Sequence, residues 1–228
     1  MMNINFKDKT VFITGGSRGI GKKIKEIFLE LEAKVISPDR NELNLSDLNS
    51  LNSYLDNYEL SKFDIFIHCA GINKLAGIDE ITLDILQEVF TVNYYAPTML
   101  LKNFTSYMKN NKYGRIVFIS SLYSMITREK RIAYSSSKNA LTGLMKTTAL
   151  ELAPYGILVN SVAPGYVMTD MTKNNLSDEE KIIIESNIPT GKFQTEEDIA
   201  NLRIFLCSDL NNSITGQLIA VDGGFLLR

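Results

Sequence analysis

Thr10-Val11-Phe12-Ile13-Thr14-Gly15-Gly16-Ser17-Arg18-Gly19-Ile20-Gly21 is the stretch that decides the fold of this 228-residue chain. Its first five residues form a short apolar and β-branched run, the pattern of a buried strand. Glycines at 15, 19 and 21 follow, and Ile20, Ile24, Ile27, Phe28 and Leu31 then recur at helical spacing. A strand that turns on glycine directly into a helix lets a pyrophosphate approach the backbone and the free N–H groups of the helix N-terminus. A glycine triplet alone is common; its place between a first strand and a first helix is what makes it informative.

Working outward, strand-like runs alternate with helix-like segments to the end of the chain. Lys34-Val35-Ile36 reads as a second strand and Leu43-Asn44-Leu45 as a third. Phe63 to His68, Arg115 to Ser120 and Ile157 to Val162 read as later strands, with long helical stretches near 82–108 and 134–153. The alternation predicts an α/β fold: one domain over residues 1–228, a doubly wound parallel sheet of Rossmann type. Such sheets bind ligands at the carboxyl ends of their strands.

Composition narrows the function classes. A formal net charge of -2 gives no field that would gather nucleic acid or anionic lipid. Cys69 and Cys207 lie far apart in apolar runs, as free thiols do in a reducing compartment. No run approaches the length of a membrane span, and no basic segment followed by an apolar stretch marks a secretory signal. The expected location is the cytoplasm.

Candidate chemistry sits just after strands. Asp39 lies eighteen residues past Gly21, near the offset at which an acidic group holds the adenosine ribose of NAD and repels a 2′-phosphate. Arg40 and Arg18 argue the other way, because guanidinium suits a phosphate. The balance leans to NAD. Tyr134 and Lys138 are four apart and share a helix face. Lowering a tyrosine pKa of about 10 by roughly three units needs about 4 kcal/mol, within reach of a nearby ammonium and an oxidised nicotinamide. Ser121 ends a strand upstream, where its hydroxyl can hold a substrate oxygen. Asn93 precedes Pro97 by four residues. Proline lacks the N–H that would bond the Asn93 carbonyl, which leaves that oxygen as a seat for a proton-relaying water.

Together these residues resemble the short-chain dehydrogenase/reductase superfamily, over essentially the whole chain. Its glycine motif matches at Thr14, Gly15, Gly19 and Gly21, and its tetrad at Asn93, Ser121, Tyr134 and Lys138. The resemblance implies cofactor contacts from Gly15, Ser17, Arg18, Gly19, Ile20, Gly21, Asp39, Arg40, Asn44, Leu45, Ala70 and Gly71. It adds Tyr134, Lys138, Pro164, Gly165, Val167 and Thr169. The segment from Ile188 to Gly224 is similar to the 3-oxoacyl-carrier-protein reductases in particular.

Two departures stand out. His68-Cys69-Ala70-Gly71 occupies the place of the family's Asn-Asn-Ala-Gly, so Cys69 replaces a bracing asparagine and the lone histidine has no catalytic assignment. Only Asp39 to Glu42 separates the second strand from the Leu43 run, too few residues for a crossover helix. The helix between strands 2 and 3 is therefore expected to be missing, with the adenosine end of the cofactor more exposed.

The implied activity is hydride transfer between NAD(P) and a carbonyl or alcohol carbon, with no metal. Three readings compete: a reductase of 3-oxoacyl thioesters, a dehydrogenase of a sugar, nucleotide sugar or small alcohol, and a non-catalytic NAD(P)-binding regulator. The intact tetrad argues against the last. Arg128-Glu129-Lys130-Arg131 is placed to attract an anionic substrate, and Lys112 and Lys173 resemble carrier-docking positions. Residues 170–195 are expected to form a substrate lid, with Met168, Met171, Ile182 and Ile183 covering an apolar group. Apolar surface on 97–110 and 134–153 predicts a homo-oligomer, a dimer or tetramer.

Overall fold

A computed structural model describes residues 4–57, 62–169, 172 and 177–228. Six strands form one parallel sheet: β1 (Thr10–Thr14), β2 (Lys34–Ile36), β3 (Ile65–His68), β4 (Gly114–Ile119), β5 (Ile157–Pro164) and β6 (Leu218–Val221). Their spatial order is β2-β1-β3-β4-β5-β6. The chain leaves β1 toward one edge and returns on its other side at β3. That reversal opens a crevice past the carboxyl ends of β1 and β3, where ligands bind in sheets of this type.

The period of two along β1 divides the core. Val11 and Ile13 pack on one face with Ile24 and Phe28 of α1 (Gly19–Glu30) and Ile199 and Ile204 of α7 (Glu196–Cys207). Phe12 faces the opposite way, among Phe63, Phe66 and Phe104, with ring centres 4.9–6.1 Å apart. That face is covered by α2 (Leu48–Asn57), α4 (Ala96–Asn111) and α5 (Ile132–Leu152). The stretch near 82–108 is three pieces: α3 (Leu83–Phe90), a π-helical turn (Thr91–Tyr95) and α4. A short α6 (Asp178–Ser186) precedes α7. Among the described residues no helix is long and apolar enough to cross a membrane.

One element departs from the sequence reading. No helix lies between Ile36 and Leu43, as expected, but Leu43-Asn44-Leu45 is not a strand. A parallel neighbour for β2 needs a crossover of a dozen or more residues, and the same shortage that removes the helix removes the strand. The run plugs the core instead. Leu43 and Leu45 are buried in the cluster that holds Phe12 and Leu51. β2 is left as the sheet edge, and the chain reaches β3 through α2. Asp39-Arg40-Asn41-Glu42 becomes an exposed turn. Lys112 precedes β4 whereas Ser121 follows it, so within one chain the two lie about 20 Å apart, at opposite ends of the strand.

Removing a core plug is costly, and trimming a surface edge is not. Leu43→Ala is expected to lower unfolding free energy by about 2–4 kcal/mol in urea titrations. A loss below about 1 kcal/mol would return the run to the surface.

Candidate active site

The crevice begins with two backbones in contact. Gly15 has φ +72°, and a Cβ built on it would stand 2.6 Å from the Ala70 amide nitrogen. Any side chain at 15 would drive the turn after β1 away from the strand end of β3. A Cβ on Gly21 would meet the Gly15 carbonyl oxygen at 2.1 Å. The turn is thereby pressed flat at the start of α1, with Arg18 in extended conformation as its N-cap. No acidic residue occupies the first turn of α1, so its free N–H groups and dipole suit a phosphate. A cavity of about 450 Å³ opens there, lined by Ser17, Arg18, Gly19, Lys22, Met168, Thr195 and, at its rim, Glu196. These residues fit the diphosphate of a dinucleotide. Met168 thus lies on the phosphate side of the crevice, not over the expected substrate.

The adenosine end follows the shortened loop. Asp39 Oδ1 accepts from the amides of Asn41 (2.7 Å) and Glu42 (3.0 Å), while Glu42 Oε2 accepts from the Asp39 amide at 2.8 Å. One carboxylate oxygen of Asp39 is spent on this turn and the other is free of it. Asn44 Oδ1 accepts from the Ser46 amide at 3.2 Å. Leu45 turns its side chain into the core.

His68 is a brace. It is fully buried, and Nδ1 lies 2.9 Å from Thr14 Oγ1. The same hydroxyl accepts from the amides of Cys69 (3.2 Å) and Ala70 (3.3 Å). One hydrogen bond thus joins the hydroxyl to the ring, and Nε2 on its far side is buried without a partner. Burial, reinforced by the Lys138 charge, drives the His68 pKa down to about 3, so the ring is neutral. Thr14 and His68 tie β1 to β3 where the family's asparagine is absent.

Asn93 is fully buried in the π-helical turn. Its amide accepts from the Ile72 N–H at 2.9 Å and donates to the Ile72 carbonyl at 3.0 Å and to Ser137 Oγ at 2.9 Å. Ser137 in turn donates to the Tyr134 carbonyl at 2.8 Å. The side chain therefore locks the segment after β3 to α5. The spacing to Pro97 points only to the backbone oxygen of Asn93; the role of its side-chain amide emerges only from the fold.

α5 carries the reactive groups. Tyr134 stands in its first turn, which holds no acidic residue, so the positive helix end favours a phenolate. Burial pushes the Tyr134 pKa up, while a hydrogen bond with Ser121 and the Arg131 guanidinium pull it down. Lys138 Nζ lies 5.7 Å from the Tyr134 ring centre and donates to the Ile119 carbonyl at 2.7 Å. Its own pKa is lowered to about 8 by burial. A Cβ on Gly71 would lie 3.4 Å from both Asn93 Oδ1 and Lys138 Nζ, which puts these two groups on one side of the crevice floor. Lys138 thus lies near both Asn93 and Tyr134, Ser121 neighbours Tyr134, and Arg131 adds a further cation.

Other predicted residues fall nearby. Thr169 Oγ1 pairs with Thr172 at 3.2 Å. Val167 is buried beside Gln194. After Pro164, a Cβ on Gly165 would meet Asp222 Cα at 2.7 Å, so that loop is packed on the C-terminal segment. Ile20 is half-buried on α1. Ile182 and Ile183 are exposed on α6, at 67% and 60%. Met171 and Lys173 lie outside the described residues, as do 170 and 174–176 of the expected lid. A second cavity, about 490 Å³, is lined by Leu75 and Arg128-Glu129-Lys130-Arg131. Among the described residues no cluster of metal-ligating side chains occurs.

The chain is similar to known proteins along nearly its whole length. A family profile described as enoyl-(acyl carrier protein) reductase matches residues 22–226. A 3-oxoacyl-[acyl-carrier-protein] reductase of Rickettsia bellii is 35% identical over 242 aligned positions, covering 98% of this chain and 99% of that protein. Among solved structures, an NAD(P)-dependent gluconate 5-dehydrogenase from Beutenbergia cavernae with bound NADP superposes with a TM-score of 0.93. It is 31% identical and the match covers 98% and 99% of the two chains. A 4-hydroxyisoleucine dehydrogenase complexed with NADH reaches 0.91 at 29% identity, over 96% and 99% of the chains.

The neutral brace makes a pH prediction. An unfolded chain protonates His68 near pH 6.5, the folded chain only near pH 3. In that window the unfolded state binds more protons, so acid destabilises the fold, by up to about 1.4 kcal/mol per pH unit. Urea titrations from about pH 6.5 to 5 should show a slope that is shallower by roughly that amount in His68→Asn. Equal slopes would mean that His68 is not held neutral.

Proposed function

The chain belongs to the short-chain dehydrogenase/reductase family, and from that premise we propose that Tyr134 is the acid/base of its NAD(P)-dependent carbonyl–alcohol interconversion. The observation that carries this reading is the placement of Tyr134: first turn of α5, hydrogen-bonded to Ser121, with Arg131 and Lys138 close by. When bound, the nicotinamide supplies or accepts the hydride. Ser121 holds the substrate oxygen beside the phenol. In reduction Tyr134 gives its proton to that oxygen, and in oxidation its phenolate removes one. Lys138 supports the phenolate and passes protons toward solvent, with the Asn93 backbone oxygen as the seat of a relaying water. A binder without catalysis has no use for a phenol set among cations.

The nicotinamide cofactor is proposed to be NAD. Support comes from Asp39, which keeps one carboxylate oxygen free for a ribose hydroxyl and repels a 2′-phosphate. Arg18 and Arg40 oppose this, as do three solved relatives with bound NADP or NADPH, against one with NADH. Two substrate readings have support. Identity over nearly the full length to a 3-oxoacyl-[acyl-carrier-protein] reductase favours a carrier-bound or coenzyme A thioester. The structural relatives named for gluconate and 4-hydroxyisoleucine favour a small hydroxylated substrate. We place the enzyme in the cytoplasm as a homo-oligomer, a dimer or tetramer. Leu150 on α5 is 80% exposed, and Tyr95 and Tyr155, beside α4 and α5, are also exposed.

Tyr134→Phe keeps the ring and loses only the oxygen. Turnover should fall by about 10²- to 10⁴-fold while NADH still binds, read by nicotinamide absorbance and fluorescence. Undiminished turnover would refute the role. In fluorescence titrations NADH should bind more tightly than NADPH, and Asp39→Ala should narrow the gap. Tighter NADPH binding to the parent protein would reverse the cofactor assignment.

A further inference from the structure

Two arginines beside Tyr134 have no carboxylate partner among the described residues. Lys130 of the same loop pairs with Glu80 at 4.0 Å, both exposed. Arg128 and Arg131 form no ion pair. Arg128 instead reaches the hydroxyls of Tyr123 and Tyr166. Those hydroxyls lie 3.2 Å from each other. Each tyrosine has one proton, and only one of them can lie between the two oxygens, so one O–H is left to donate outward. Arg131 stacks over the Tyr123 ring with its guanidinium carbon 5.5 Å from the ring centre. Its Nε is buried with no partner. A buried, unpaired guanidinium N–H is costly; Arg115 and Arg203 leave the same group unpaired in the core, and Arg131 differs from them in standing next to a cavity.

This cluster adjoins the reaction centre. The Tyr123 ring meets the Tyr134 ring edge-on at 6.2 Å, and the Arg131 charge is felt at the Tyr134 phenol. The outer side of the loop, Arg128 to Arg131 with Leu75, lines the 490 Å³ cavity, whose walls include Glu129 and none of the three tyrosines. Two planar guanidinium groups and a tyrosine hydroxyl match a carboxylate, whose two oxygens accept from a fork of N–H donors. A neutral thioester carbonyl offers a single weak acceptor to the same groups.

We propose that the substrate of this enzyme is a hydroxy or keto acid whose carboxylate is bound by Arg128 and Arg131 with a tyrosine hydroxyl from the Tyr123–Tyr166 pair. The inference rests on the Tyr134 reading and selects between its substrate classes. The balanced reaction is R₂C=O + NAD(P)H + H⁺ ⇌ R₂CHOH + NAD(P)⁺, and the carboxylate takes no part in the bond changes. Arg131 has two duties. It anchors the anion, and in the empty site it also favours the phenolate. Neutralising it with substrate carboxylate leaves the phenol protonated, the state that reduction needs.

The test uses the full chain with NADH or NADPH and three probe sets: short keto acids including 5-ketogluconate, the methyl ester or amide of each, and N-acetylcysteamine thioesters of 3-oxo acids. The acids should be turned over with kcat/KM at least about tenfold above their esters and amides. That preference should collapse in Arg131→Gln and Arg128→Ala, mainly through KM. In parallel, gluconate should raise the melting temperature of the NADH complex in the parent protein and not in Arg131→Gln. Equal rates for acid and ester, a thioester preference untouched by Arg131→Gln, or no gluconate shift together with no acid turnover would each overturn the proposal. Tyr134→Phe separates the two layers. If it abolishes turnover of any probe while acids are not preferred, the acid/base reading stands and only the carboxylate site falls.

Discussion

Everything in the crevice turns on one conflict: a phenol has to ionise where burial opposes charge. Desolvation raises the Tyr134 pKa, and no single neighbour cancels it. The offset is shared between the Ser121 hydroxyl, the Arg131 guanidinium, the ammonium of Lys138 and the positive end of α5. Lys138 is itself in the same conflict. Its pKa of about 8 leaves it mostly charged at neutral pH but close to losing that charge. A bound oxidised nicotinamide would add the last positive charge, so ionisation is coupled to cofactor state rather than fixed by the protein.

The scaffold serves that arrangement by bringing two strand ends into contact. Gly15 against Ala70 sets the spacing, and the Thr14–His68 pair holds it where a bracing asparagine is absent. Asn93 then couples the segment after β3 to α5, and through Ser137 to the backbone of Tyr134. The cofactor crevice and the reactive face of α5 are thus one hydrogen-bonded unit.

Much of this was legible in the sequence because it is local. The glycine turn, the strand runs and the four-residue spacing of Tyr134 and Lys138 depend on neighbours in the chain. The misreading at Leu43-Asn44-Leu45 came from treating an apolar run as a strand without asking whether its connection allowed parallel pairing. The count of residues that excluded a helix there also excluded the strand. What sequence could not supply was contact between distant segments. The Asn93 amide bridging to Ile72 and Ser137 and the Thr14 hydroxyl shared by His68 and two amides each need the fold. So does the pairing of Tyr123 with Tyr166, and Arg131 gains its meaning only beside that pair.

The departures from the family pattern are local in place but linked in effect. A shortened adenosine loop spends part of Asp39 on its own turn, and a basic loop before α5 places cations at the opposite side of the crevice. The most direct measurement of the central claim is the ionisation of Tyr134 itself, by NMR of ¹³Cζ-labelled tyrosine with Tyr134→Phe for assignment. Its apparent pKa should lie above the free value of about 10 in the cofactor-free protein and fall clearly below it in the NAD⁺ complex. A Tyr134 resonance that stays protonated past pH 10 in both states would contradict the account.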